Sequence, residues 1–428
     1  MDGPVQSSHP YTQAHAAAPL WAVNIFSFLS SFGTGIVTYG ITLIAKQAYS
    51  FTQFDNYLMA VVIGITYIVG SLGAGPLLRA LRVRFPNLSD RAVLVWLMAL
   101  MAILCLIPLG AKVASIDSSW PLWLLVTLYS PLTGILWPVV ESFVSGGRSG
   151  PTLLRSLGIW NIVWSSAVVL ASWGMGPALE RHAVSALAVL GAMHIGSCIV
   201  LVPFPRFAPR HEAEAHRANL SPVYRDLLST FRIILPVSYV ISSALGPFLP
   251  SAMDALRIPI AWQPIVLSAW QLPRMLGFIV HQATTSWRGT WAHPISGGMM
   301  LLVGFVAAIL APRLAGTPEG NTTGTWLLIG GLTVFGAGMS CIYSGAIYYA
   351  MSVGNAEVDA GGMHEALIGV GYTIGPVIGL VPTMLIDRQI VPPSSFEPTV
   401  LVSTGMVATV GIVLVARAIT RQQRPKGA

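Results

Sequence analysis

The sequence predicts an all-α polytopic membrane protein: twelve transmembrane helices in two pseudo-symmetric six-helix bundles. Three observations carry this. Charged residues make up only 9% of the 428 residues while 54% are hydrophobic. The apolar residues fall into about twelve blocks, each long enough to cross a bilayer. A charged stretch near the middle divides those blocks six and six.

A hydrocarbon core about 30 Å thick takes about 20 apolar residues at 1.5 Å rise each. The first block, 20–44, supplies that length without a charged side chain. It reads as a retained span, because a secretory signal opens on a basic stretch and no Lys or Arg precedes Lys46. Further spans are expected at 57–78, 92–111, 121–143, 154–177 and 183–204, then at 228–253, 259–283, 291–311, 325–351, 361–386 and 398–417. A β-barrel would instead read as short alternating segments. In the seventh block Pro236, Gly246-Pro247 and Pro250 remove backbone hydrogen bonds, so a bend is expected there, either static or used in motion.

Between 206 and 232 the charge density rises, with Arg206, Arg210, His211, Glu212, Glu214, His216 and Arg217 preceding the seventh block. The expected organisation is a tail over 1–18, a bundle over 19–205, a linker over 206–222, a bundle over 223–418 and a tail over 419–428. With the N-terminus in the cytoplasm, inward segments hold 16 of the 23 Lys and Arg, outward loops hold six, and Arg274 lies within a span. The positive-inside rule therefore places both termini in the cytoplasm, across the inner or plasma membrane of a cell. The formal charge of +7 follows from this topology; it implies anionic lipid headgroups as neighbours, not nucleic acid. Cys105, Cys198 and Cys341 each stand alone in an apolar span, which predicts three buried thiols, no disulfide and no metal site. Asn321-Thr322-Thr323 forms a glycosylation pattern expected on an outward loop.

Near-equal halves with six spans each are what duplication of a six-helix unit produces. Tyr129-Ser130 in the fourth span is echoed by Tyr343-Ser344 in the tenth, and Gly176-Pro177 at the end of the fifth by Gly375-Pro376 in the eleventh. With these features the chain resembles the major facilitator superfamily of secondary transporters. The loop after the second span, Gly75-Pro76-Leu77-Leu78-Arg79 with Arg82 and Arg84, keeps the glycine and basic character of that family's signature but lacks its Asp. Gly369, Gly371, Gly375, Pro376 and Gly379 resemble its GPxxG element, where small residues permit close packing and bending. Glu141 and Arg148 have the spacing of the cytoplasmic gate of sugar porters, and Glu357 and His364 repeat it with His in place of Arg. The resemblance implies that these groups form gating ion pairs; the residues alone are equally compatible with headgroup-level charges.

An ionisable residue inside a span needs a partner or a water-filled cavity, since a charge at the bilayer centre costs at least a few kcal/mol. Arg274, in Ala269-Trp270-Gln271-Leu272-Pro273-Arg274, is the strongest case. Its guanidinium grips a carboxylate or phosphate at two points, pairs with a carboxylate such as Glu365, or snorkels to the headgroups. Trp270 and Gln271 supply stacking and hydrogen bonds beside it. His364-Glu365 opens the eleventh span, either as a proton-responsive pair or as a negative side chain at a helix N-terminus. Asn161, Trp164, Asn24, Tyr348 and Tyr349 are candidates for the wall of a central cavity, against the alternative that each is packing. His194 is expected to bond a neighbouring helix.

These features predict a secondary active or facilitative transporter working by alternating access. Its cargo is a small organic solute, an anionic or zwitterionic metabolite or an amphipathic drug, and protons are the candidate coupled ion. A monomer without cofactors is expected. The sequence lacks GxxxxGK[ST], HExxH and GxSxG, which argues against an ATP-driven pump and against an intramembrane enzyme. A transporter-like sensor or scaffold without transport activity is the rival reading.

Overall fold

The structure is a computed structural model that describes residues 17–209, 222–353 and 358–423. No strand occurs among the described residues, and the helices assemble into twelve rods. α1 runs through Leu20–Gly33, a π-helical segment Thr34–Tyr39, and Ile41–Tyr49. α2 is Gln53–Arg84, α3 Asp90–Val113, α4 Trp120–Ser145, α5 Gly150–His182 and α6 Ser185–Val200. α7 comprises Pro222–Leu245, a 3-10 turn Gly246–Phe248, and Leu249–Ala255. α8 is Gln263–Ala283, α9 Ala292–Leu310, α10 Pro318–Val353, α11 Val358–Asp387 and α12 Phe396–Gln423. Twelve alternating rods return the chain to the face from which α1 starts. That side is called here the terminal face, and the other the far face.

Ten of the rods are long and apolar enough to cross a membrane by themselves. The other two are informative. α6 has 16 residues, about 24 Å at 1.5 Å rise per residue, and continues into turns at Leu201–Phe204. α8 is long enough, but Gln263, Gln271, Arg274, His281 and Gln282 dilute its apolar character. A helix that spends bilayer length on polar side chains has a use for them.

The first bundle packs α1 on α5, α2 on α4 and α3 on α6; the second packs α7 on α11, α8 on α10 and α9 on α10. Two seams join the bundles, α2 against α11 and α5 against α8, with α4 also meeting α11. Glycines set how close these helices come. A Cβ at Gly64 of α2 would lie 2.5 Å from the Thr373 backbone nitrogen of α11, and one at Gly176 of α5 2.4 Å from the carbonyl oxygen of Ala261. α11 is wedged from both sides: Gly369 and Gly379 receive Ile68 and Tyr57 of α2, while Gly371 and Gly375 receive Tyr239 and Val240 of α7. The glycine-rich element is thus a packing device between seam and bundle, and of its residues Pro376 lines a cavity.

Several local expectations are corrected. The stretch from Gly75 to Arg84 is not loop but the last turns of α2, held by Arg82 pairing with Asp90 at the start of α3. α5 continues past Gly176-Pro177 to His182. Asn321 lies in the first turns of α10, where its Oδ1 accepts from the Gly316 amide at 3.1 Å. Cys105 is buried as expected, but Cys198 and Cys341 are only half-buried; all three are free thiols. In α7, where a bend is expected, the α-helix is interrupted by the 3-10 turn Gly246–Phe248. His194 of α6 bonds the Tyr129 hydroxyl of α4 at 2.8 Å, the interhelical role expected of it.

Candidate functional site

Arg274 lies near the middle of α8 and is 0% exposed. Its Nε, Nη1 and Nη2 make no hydrogen bond of regular geometry, although the Tyr39 side chain lies beside the guanidinium, and no carboxylate among the described residues lies within 4.0 Å. Three aromatic faces surround its Cζ, with centroids at 4.6 Å for Trp270, 4.8 Å for Trp164 and 5.9 Å for Tyr39. Two of the roles open to Arg274 in the sequence are thereby removed. A fully enclosed guanidinium is not snorkelling, and Glu365 is engaged elsewhere. Cation–π attraction is worth about 2 kcal/mol or more at a desolvated site, which offsets only part of the several kcal/mol that burying an ion costs.

One turn earlier, Gln271 is also 0% exposed. Its Oε1 accepts from the Ser172 hydroxyl of α5 at 2.9 Å, across the seam between bundles, while its Nε2 has no partner. Spacing of three residues puts both side chains on one helix face. The fold therefore presents there a charged fork and an amide, donors without acceptors.

Two cavities flank this point. The one toward the far face is lined by residues including Thr38, Ser242, Ser243, Leu267, Trp270 and Phe335. The one toward the terminal face is mostly aromatic: Tyr67, Trp137, Trp160, Trp164, Tyr239 and Tyr343, with Glu365 among them. Tyr39 and Tyr372 line both. Their hydroxyls, from α1 and α11, are 3.4 Å apart, and Tyr39 meets Trp270 edge-on at 5.0 Å between centroids. Tyr39 owes its position to the π segment, where Gly40 N–H reaches back to the Gly35 carbonyl at 2.9 Å. Such extra-residue turns are frequent at functional sites.

Glu365 lies about two turns into α11 and is 5% exposed. Its Oε2 accepts from the Tyr67 hydroxyl of α2, and the carboxyl group of Glu141 on α4 lies beside it. Two buried carboxyl groups side by side repel when both are ionised, and a proton between them removes that repulsion. Arg148 does not pair with Glu141. Past the end of α4 the chain turns through Gly147 at φ +68°, and the Arg148 guanidinium folds back to donate to the carbonyls of Phe143 (3.0 Å), Val144 (2.8 Å) and Ala18. The first two are carbonyls that the end of α4 leaves unsatisfied. On the far face the bundles are joined by Lys46 of α1, which pairs with Asp254 of α7 and donates to the Pro250 carbonyl at 3.3 Å.

The remaining candidates scatter. Trp164 touches Arg274 and lines the terminal-face cavity; Asn161 accepts from its indole N–H at 2.9 Å and so orients it. Asn24 has an unpartnered buried Oδ1 but lines neither cavity. Tyr348 stands apart, under the Arg288 guanidinium at 4.8 Å and beside Trp287, and Tyr349 stacks on Phe231. His364 faces Tyr343 at 6.1 Å. Glu357 lies outside the described residues. Tyr39, Tyr67, Tyr239, Tyr343 and Tyr372 are missing from the set drawn from the sequence. Their signal was a hydroxyl in mid-span, which must find a partner in the bilayer. Cys341, solitary in sequence, lies 3.8 Å from His281 Nε2.

The sequence matches no protein-family model and no curated protein. Solved structures do match. A substituted form of the nucleoside transporter NupG aligns over 95% of this chain and 100% of its own, with TM-score 0.61 and 15% identity. Another NupG structure gives TM-score 0.59 and 14% identity over 95% and 99% of the two chains. The E. coli fucose:proton symporter FucP gives 0.58 and 13%, also over 95% and 99%. At such identity the likeness shows the fold, the two-bundle, twelve-helix architecture of major facilitator superfamily transporters.

Proposed function

We propose that this multi-pass membrane protein is a secondary transporter in which the bundles 19–205 and 223–418 rock about the Arg274 site, exposing it to one face and then the other. The observation that carries this reading is a buried cation without a carboxylate partner among the described residues, beside a tyrosine pair that divides two cavities. An unpaired interior charge is a standing cost that a bound acceptor relieves. The cargo has an apolar or planar body that stacks on the aromatic wall, and a carboxylate or carbonyl edge for Arg274 and Gln271. The nucleosides and fucose named for the structural neighbours are small organic solutes.

The Glu141–Glu365–Tyr67 link is the proton-responsive element in this reading. Loss of its proton leaves two adjacent carboxylates that repel, which separates α4 from α11 and opens the terminal face. The FucP neighbour is named as a proton symporter, which favours coupling over simple facilitation. The asymmetry of basic residues supports a terminal face on the cytoplasmic side. The chain works without a cofactor or enzymatic step. Counterflow in proteoliposomes, with a panel of labelled organic anions, zwitterions and nucleosides, tests the reading. Exchange of one class is expected; a solute that binds tightly but never crosses would instead support a sensor.

A further inference from the structure

His281, His293 and Cys341 have no metal-type spacing in the sequence, yet the fold gathers them. His281 lies in the last turn of α8, His293 in the first turn of α9, and Cys341 on α10. One nitrogen from each imidazole and the Cys341 sulfur all lie within 4.8 Å of one another. Cys341 Sγ is 3.8 Å from His281 Nε2. A tetrahedral ion with bonds of about 2.0–2.1 Å to nitrogen and about 2.3 Å to sulfur separates such a pair by about 3.5 Å, so a few tenths of an ångström of motion brings this pair to bonding distance and about 1 Å closes the widest gap in the set.

The surroundings are those of a ligand set. His281 Nδ1 lies 3.1 Å from the Ser344 hydroxyl, an outer contact that holds the ring and leaves Nε2 toward the thiol. His293 is 6% exposed, and its Nε2 has no hydrogen-bond partner. A buried polar atom left unpaired costs about 1–3 kcal/mol, which a bond to a metal removes. Trp287 covers both rings, with centroids 5.6 Å and 4.6 Å away. Two imidazoles and a thiol contain no hard oxygen donor, so Ca²⁺ and Mg²⁺ are poor candidates and a borderline-soft ion fits.

We infer that His281, His293 and Cys341 form a Zn²⁺ site that ties the terminal-face ends of α8 and α9 to α10, with a fourth position open to water. On binding, the Cys341 thiol loses its proton to solvent and the thiolate enters the coordination shell. The site is separate from Arg274, and its existence does not depend on what is transported.

Co²⁺ serves as the spectroscopic probe, added to full-length protein purified in detergent and stripped with chelator. One equivalent is expected to produce a thiolate-to-Co²⁺ charge-transfer band that excess Zn²⁺ abolishes. Cys341→Ser is expected to remove the band, and His281→Ala or His293→Ala to weaken binding by about tenfold or more. A double variant at Cys105 and Cys198 retains the band and keeps the test informative should the histidine variants fail to fold. No band in the wild-type protein, or one that survives Cys341→Ser, overturns the site.

Discussion

The hydroxyls of Tyr39 and Tyr372, on opposite bundles, stand 3.4 Å apart where the two cavities meet. Tyr39 also closes one side of the Arg274 enclosure, so displacing it connects the cavities and uncovers the guanidinium together. Barrier and binding site share one side chain.

Tyr39→Phe and Tyr372→Phe each remove the hydroxyl contact and retain the rings. A hydrogen bond of this kind is worth about 0.5–1.5 kcal/mol net, equivalent to a several-fold shift between closed and open forms. The double variant is expected to lose no more than either single one. Hydrogen exchange of the α1 and α11 amides beside the pair measures this; fully additive effects would mean that the two hydroxyls act independently.

The Lys46–Asp254 pair closes the far face, but its side chains are 28% and 49% exposed. Solvent screening limits such a pair to about 0.2–1 kcal/mol, less in high salt. Lys46→Gln is expected to leave the thermal midpoint almost unchanged while speeding solute entry from the far face at low salt. Equal entry rates for variant and wild type at low ionic strength would remove the pair from the gate.

Glu365→Gln keeps a hydrogen-bonding group beside Tyr67 and Glu141 but cannot ionise. Wild-type protein in liposomes is expected to accumulate solute when a pH gradient is imposed. The variant is expected to exchange solute downhill without responding to the gradient. Gradient-driven accumulation by Glu365→Gln at the wild-type level would place coupling elsewhere.

Gly64 meets the α11 backbone, which cannot yield as a side chain tip would. Gly64→Ala is expected to destabilise by about 1–3 kcal/mol through overpacking. Gly73→Ala, on the same helix with open space at its Cβ, is the control and should be neutral or stabilising. Unfolding in detergent, followed by tryptophan fluorescence, compares the two.

Most of the fold is legible in the sequence because the bilayer imposes one rule on every span: enough apolar length with the backbone satisfied internally. Each expected block became a rod, including α8, where five polar residues obscure the apolar signal. The site is legible only in part. Arg274, Gln271 and Trp270 stand out because polar groups on a membrane helix are costly. Their partners are less visible, because contact across bundles depends on which face each helix turns. Glu141 and Glu365 looked like separate gate and helix-end charges, yet they meet. Arg148 looked like a gate partner and instead caps its own helix. Tyr39 depends on a π turn that no spacing in α1 announces.

Arg274→Met tests the central claim most directly, by thermal unfolding of the purified protein with and without a solute panel. Removing one member of a buried ion pair costs about 3–5 kcal/mol, whereas removing a cation with no protein partner is neutral or stabilising. The account predicts an unliganded variant at least as stable as wild type that has lost every solute-induced rise in midpoint. A variant that unfolds far earlier without ligand, or keeps those rises, contradicts it.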